Sequence, residues 1–188
     1  MVAEAPRGLR FGLFLGQANK PLAQVYDEFQ MAEDLGFDHA WLVDHLVDTD
    51  GPPSNPMLEA WTLLAAIAAR TSRIRLGILV TSNTFRHPAI PDTATDGVQT
   101  ELAERIRYVD DACRAIGRDP AEIRRSTWTK AESALQDEGA CIDFVTRHQA
   151  LGFTDFSTTM ASPTQLPLLR RMAEEIIPNM RGGSNADG

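Results

Sequence analysis

Apolar positions along the chain alternate between two rhythms. Short continuous runs, closed by Gly or polar turn residues, alternate with longer stretches where apolar side chains recur every three or four positions. Residues 9–15 form the first run, ending at Gly16, and predict a buried strand. Asn19 and Pro21 then open a helix, since Pro is tolerated in a first turn. Its stripe is Leu22, Val25, Tyr26, Phe29, Ala32 and Leu35, the spacing of one helical face. Gly36 is placed to end it in the left-handed conformation. Ala40-Trp41-Leu42-Val43 reads as a second strand, with Asp44 and His45 at its C-terminal end.

A loop rich in Gly, Pro, Ser and Asn follows over 48–56. Asn55-Pro56 has the form of a helix cap, and Met57, Ala60, Trp61, Leu64, Ile67 and Ala68 form the buried side of the helix it predicts. Residues 73–81 predict a third strand, with Ile74, Leu76, Ile78 and Val80 sharing a face. Periodicity is lost from 81 to 97, and residues 91–97 read as linker. It returns as an amphipathic helix over 101–117, with Leu102, Ile106, Val109, Cys113 and Ile116 on one side. Asp119-Pro120-Ala121-Glu122 is a capping box that predicts a helical turn. A strand over 123–129, a helix over 138–151 ended by Gly152, and a strand over 153–158 complete a repeating pattern. Ser162-Pro163-Thr164-Gln165, a second capping box, opens a final helix through Met180, and residues 182–188 read as a frayed tail. Leu35-Gly36-Phe37-Asp38-His39-Ala40 is echoed by Leu151-Gly152-Phe153-Thr154-Asp155-Phe156, two helix-to-strand joints of the same kind. Strand and helix in alternation imply an α/β fold with right-handed parallel crossovers.

Composition narrows the function classes. A length of 188 residues favours one domain, and 43% hydrophobic content is enough for a core. The net charge of −8 argues against a nucleic-acid partner, which selects a basic face. No apolar run reaches membrane-spanning length, and residues 1–10 lack the apolar core of a signal peptide, so a cytoplasmic chain is expected. Cys113 and Cys141 both fall in apolar helical stripes and read as buried free thiols rather than a disulfide or zinc set.

Three segments carry a family resemblance. They are Phe11-Gly12-Leu13-Phe14, the run from Ala32 to His45, and the run Thr71-Ser72-Arg73-Ile74-Arg75-Leu76-Gly77-Ile78-Leu79-Val80-Thr81-Ser82, continued by Phe85-Arg86-His87-Pro88-Ala89. Together they resemble the bacterial luciferase-like monooxygenase family, and within it the F420-dependent oxidoreductases. Ala115-Ile116-Gly117-Arg118-Asp119-Pro120-Ala121-Glu122-Ile123 and Glu174-Glu175-Ile176-Ile177-Pro178 are similar to the last part of the same family. The resemblance implies a (β/α)₈ barrel, a fold of about 250 residues, from which the middle is missing. Within a single domain over 1–181, residues 9–90 would be the first βα units, 91–100 the junction and 101–181 the last units. The fold class expected is a truncated TIM-barrel-like α/β domain whose strands, numbered as in the parent barrel, lie in the order 7-8-1-2-3. Such a sheet keeps two open edges, which invite pairing with another chain, so a homo-oligomer is expected. Its former barrel-facing side is expected to be apolar and partly uncovered.

Barrel enzymes place their chemistry at the C-terminal ends of strands. Gln17, Asp44, His45, Ser82, Asn83, Trp128 and Thr158 are the polar or aromatic candidates there. The resemblance implies that Asp44 and His45 lie near a deazaflavin ring. His45 would give or take a proton, as an imidazole titrating near neutrality can. Asp44 would orient it or contact the cofactor. The alternative is that the pair merely begins a polar loop. Thr81, Ser82 and Asn83 resemble the segment where relatives place a non-prolyl cis peptide behind the ring, with an ordinary trans bond as the competing reading. His87 reads as a loop residue, His39 and His148 as surface residues, and Trp41, Trp61 and Trp128 as core. No zinc-like spacing is present. The function implied is hydride transfer by F420, with FMN as the alternative cofactor, to a small organic substrate that the sequence leaves unknown. A non-catalytic remnant, or an oligomerising half-barrel, is the competing reading.

Overall fold

The computed structural model describes residues 8–81 and 99–183. Five strands form one sheet: β1 (Arg10–Phe14), β2 (His39–Leu42), β3 (Arg75–Ile78), β4 (Ser126–Thr129) and β5 (Asp155–Thr159). Every pairing is parallel, and the order is β3-β2-β1-β5-β4. This is the 7-8-1-2-3 order expected of the truncated barrel. The barrel is not closed, and among the described residues β3 and β4 are the two edges.

Side chains alternate across a parallel sheet, and the register sorts them into two faces. Phe11 pairs with Phe156 and Leu13 with Thr158. Phe11, Phe156 and Thr158 face a helical layer made by α5 (Glu138–Gln149) and the C-terminal helix, meeting Cys141, Val145, Leu169 and Met172. The other face carries Arg10, Gly12 and Phe14 of β1, His39 and Trp41 of β2, Arg75 and Gly77 of β3, and Asp155 and Ser157 of β5. It was expected to be apolar. It is instead a mixture of aromatic rings, charges and glycine, because successive residues of these strands are not hydrophobic on both sides.

The core lies between the sheet and its helices. Leu13, Leu15, Val25, Phe29, Leu42 and Leu169 have no exposed surface, and each large apolar side chain so buried stabilises by about 1.5–3 kcal/mol. Helix α1 (Leu22–Asp34) buries Val25, Phe29 and Ala32 as its stripe predicts, and Gly36 takes φ +77° at its end. Helix α2 (Ala60–Ala68) begins later than the sequence implies. Its cap is Glu59, whose carboxylate accepts from the Trp61 and Thr62 N–H groups, while Asn55 is occupied elsewhere. Its buried residues are Ala60, Leu63 and Ile67. Trp61, read as core, is 41% exposed.

Helix α3 (Gln99–Ala115) forms over the expected stretch, but its stripe is only partly covered: Cys113 is buried while Val109 and Ile116 are exposed. A short 3₁₀ turn at Pro120–Glu122 is capped by Asp119. A turn absent from the sequence reading, α4 (Ala131–Ala134), links β4 to α5. The final helix is not uniform. It runs as α6 (Leu166–Arg171), a wider π turn over Met172–Ile176, and α7 (Ile177–Gly183). No helix among the described residues is long and apolar enough to cross a membrane.

Candidate active site

The C-terminal ends of β1, β2 and β3 lie side by side, so the loops that leave them share one rim of the sheet. Two backbone bonds extend the strands towards that rim. Leu15 N–H donates to Trp41 O, and Leu79 N–H donates to Leu42 O, both at 2.8 Å. A single pair at Ala18 and Met57, with Asn19 N–H donating to Pro56 O, ties the loop after β1 to the loop after β2.

Asp44 is buried and His45 half-buried just beyond β2, the strand end where the sequence places them. His45 Nδ1 lies 3.2 Å from Thr49 Oγ1. That contact occupies one ring nitrogen. The loop is shaped by Asp48. Its Oδ1 accepts from the Asp50 and Gly51 N–H groups, and its Oδ2 from the Asn55 amide at 2.8 Å. The Asn55 bond, with the two N–H groups behind it, holds the Asp48 carboxyl below the ordinary carboxylate range. The sequence signal for this loop was Asp48-Thr49-Asp50-Gly51, an aspartate followed by a turn glycine.

Thr81 is exposed, three residues past β3. Ser82, Asn83 and His87 lie outside the described residues. A non-prolyl cis peptide bond joins Leu79 to Val80, just ahead of the Thr81-Ser82-Asn83 segment for which such a bond was considered.

Gln17 and Thr158, both named as strand-end candidates, do other work. Gln17 has no exposed surface. Its Nε2 donates to Val43 O at 2.6 Å and to Leu58 O at 3.3 Å, and its Oε1 accepts from Val43 N–H. It stitches the end of β2 to the chain ahead of α2. Thr158 points into the helical layer, buried, with its hydroxyl unpartnered among the described residues. Trp128 stacks on Phe14 with ring centroids 5.8 Å apart.

The histidines read as surface residues are also placed differently. His39 is buried in the sheet, and His148 is half-buried, its Nδ1 2.8 Å from Phe144 O and its ring against Phe144 and Phe153. Opposite the first three strand ends, Thr159 Oγ1 accepts from Ala131 N–H, and Gln165 Nε2 donates to the carbonyls of Ala131 and Leu135. These bonds fasten the exits of β4 and β5 together. Gln165 accepts from Ser162, as the capping box predicts, but its amide also spans the two exits. Among the described residues no cluster of three or more His, Cys, Asp or Glu could hold a metal ion.

The fold is an open, all-parallel five-stranded α/β sheet whose strand ends share one rim. Residues 9–91 match the family described as Luciferase-like monooxygenase, the family that the sequence resembles. The 4-hydroxyprotoasukamycin monooxygenase of Streptomyces nodosus subsp. asukaensis is 29% identical over 134 residues, covering 63% of this chain and 34% of that protein. The chain thus spans about a third of the length of this curated relative. Among solved structures, an F420-dependent secondary alcohol dehydrogenase in complex with an F420-acetone adduct is similar at a TM-score of 0.36 and 14% identity. The match covers 78% of this chain and 42% of that one.

Proposed function

We propose that the chain is a luciferase-like oxidoreductase segment whose cofactor is F420, with FMN as the alternative, and whose site lies on the rim above β1, β2 and β3. The observation that carries this reading is the Asp44-His45 pair, set just past β2 within a loop ordered by Asp48. The residues present fit the ring end of such a group. Half-buried His45 and exposed Thr81 follow neighbouring strands, and Ser82 and Asn83 follow Thr81 in the chain.

When bound, the cofactor supplies hydride chemistry that no side chain can perform. His45 would hold or move a proton at Nε2, because Nδ1 is engaged with Thr49. Asp44 would orient the imidazole or contact the cofactor. Thr81, Ser82 and Asn83 would line the ring. The substrate would be a small organic molecule.

The test is a fluorescence titration of the purified chain with F420, and with FMN for comparison. Saturable F420 binding at about micromolar strength or tighter is expected. A folded chain that binds neither cofactor would overturn the reading. In that event a non-catalytic, self-associating half-barrel takes its place. The edges that β3 and β4 form among the described residues favour that second reading, and the oligomeric state in solution tests it.

A further inference from the structure

We propose that His39 is an acid-operated latch on the edge strand β3: neutral, it holds the Trp41 ring against Gly77, and protonated, it lets that ring go. The argument starts from a proton count. Trp41 Nε1–H donates to His39 Nδ1 at 2.8 Å. An indole nitrogen can only donate, so Nδ1 is an acceptor and the proton of the neutral imidazole sits on Nε2. Among the described residues that Nε2–H has no hydrogen-bond partner, and its nearest carboxylate oxygen, Asp155 Oδ1, is 3.9 Å away, beyond hydrogen-bond reach. A second proton could only go to Nδ1. Two N–H groups would then face one another across the 2.8 Å contact, and the bond to Trp41 would be lost. The imidazolium would meanwhile be drawn towards Asp155.

The setting keeps the neutral form in place. The His39 ring lies across Gly12, whose missing side chain leaves the room it fills. The charged groups that face it are Asp155 from β5, Asp38 ahead of β2, Arg10 from β1 and Arg124 ahead of β4, with Arg75 its register partner on β3. Both carboxylates hold other partners, each through Oδ2, while Asp155 Oδ1 faces the ring. Asp155 accepts from Arg124 Nε and the Thr154 hydroxyl, and Asp38 from Arg181 and the Phe11 N–H. Burial outweighs them and holds the His39 pKa below its ordinary value.

The consequence falls on β3. The Trp41 ring covers Gly77 so closely that a Cβ there would lie 2.6 Å from Trp41 Cε3. β2 is the one strand that pairs with β3 among the described residues. Releasing Trp41 therefore loosens the edge strand that leads to Thr81.

Nuclear magnetic resonance tests this directly, without any cofactor. The indole N–H resonances of the three tryptophans, assigned by Trp→Phe variants, would be followed with amide exchange at Arg75–Ile78 from about pH 8 to about pH 4. The Trp41 signal is expected to lose its hydrogen-bonded shift at a midpoint below 6.5, with exchange of the β3 amides rising at the same midpoint. His39→Gln should abolish that transition. Asp155→Asn should lower the midpoint, because it removes the carboxylate that favours the imidazolium, and it serves as the deciding variant if His39→Gln does not fold. A Trp41 signal that stays put, a transition that survives His39→Gln, a midpoint unmoved by Asp155→Asn, or one global unfolding that carries every probe together would each overturn the proposal.

Discussion

Glu33 and Ile74 are joined across the chain by one carboxylate: Glu33 Oε2 accepts the Ile74 N–H at 3.0 Å, and the same oxygen accepts the Arg73 N–H at 2.7 Å and the Ser72 N–H at 2.9 Å. This fan of donors clamps the end of α1 to the entry of β3. The backbone bonds from Ile74 and Arg73 hold the Glu33 carboxyl down at about 2, from the ordinary 4.5. An unfolded chain therefore takes up this proton at higher pH than the folded one. The stabilisation is complete above 4.5 and is lost as pH falls towards 2. Glu33→Gln should destabilise the chain by about 1–3 kcal/mol at neutral pH and flatten the loss of stability between pH 4.5 and 2. Denaturant unfolding of both proteins across that window checks it. An unchanged pH slope in the variant would show that the clamp does not hold the fold.

Two glycines on the open face of the sheet differ in what a methyl group would meet. At Gly12 it would lie 2.5 Å from the carbonyl oxygen of His39 as well as against the imidazole. A backbone atom of a paired strand cannot rotate away. At Gly77 the three nearest atoms all belong to the Trp41 ring, a side chain that can shift. Gly12→Ala should thus cost more than Gly77→Ala, with the first at or above the upper end of the about 1–3 kcal/mol typical of overpacking. Thermal melts of the two variants rank them, and equal losses would contradict the argument.

Much of the scaffold was legible because it rests on local signals. The apolar runs at 9–15 and 153–158, the stripe of α1 and the glycines at 36 and 152 each coincide with an element or its end, with Gly36 and Gly152 at φ +77° and +86°. Strand order followed once the strands were numbered as in the parent barrel. What escaped was set by contacts between distant parts of the chain. His39 begins β2 next to an Asp and ahead of an Ala-Trp pair, a context that gives no hint of burial across Gly12. Glu33 looks like an ordinary helical carboxylate until the entry of β3 closes over it. Gln17 and Thr158 sit at strand ends, as site residues do, but their surroundings turn one into a stitch and the other into a core residue.

The Cys141 thiol offers a chemical check on the helical layer. It is buried between α5 and the sheet, and burial alone pushes its pKa up to about 12. Thiolate, the reactive form, is therefore scarce at working pH in the folded chain. Iodoacetamide at about pH 8 should leave Cys141 unmodified in native protein and label it fully in denaturant, as read by mass spectrometry of the peptide. Fast labelling of the native protein would mean that α5 does not stay packed as described.

Gln17 and His45 lie near one another in the fold's plan but should fail differently when changed. Gln17 is wholly buried and satisfies both backbone groups of Val43. Gln17→Ala leaves those groups without partners and should destabilise by about 1–3 kcal/mol, whatever the chain binds. His45 is half-buried and its one side-chain hydrogen bond among the described residues is to Thr49, so His45→Ala should leave the melting temperature nearly unchanged. Under the proposed function it should abolish turnover or cofactor binding. Measuring melting and F420 fluorescence on both variants separates the two roles: a His45→Ala protein that melts normally and binds F420 like the parent would remove His45 from the site.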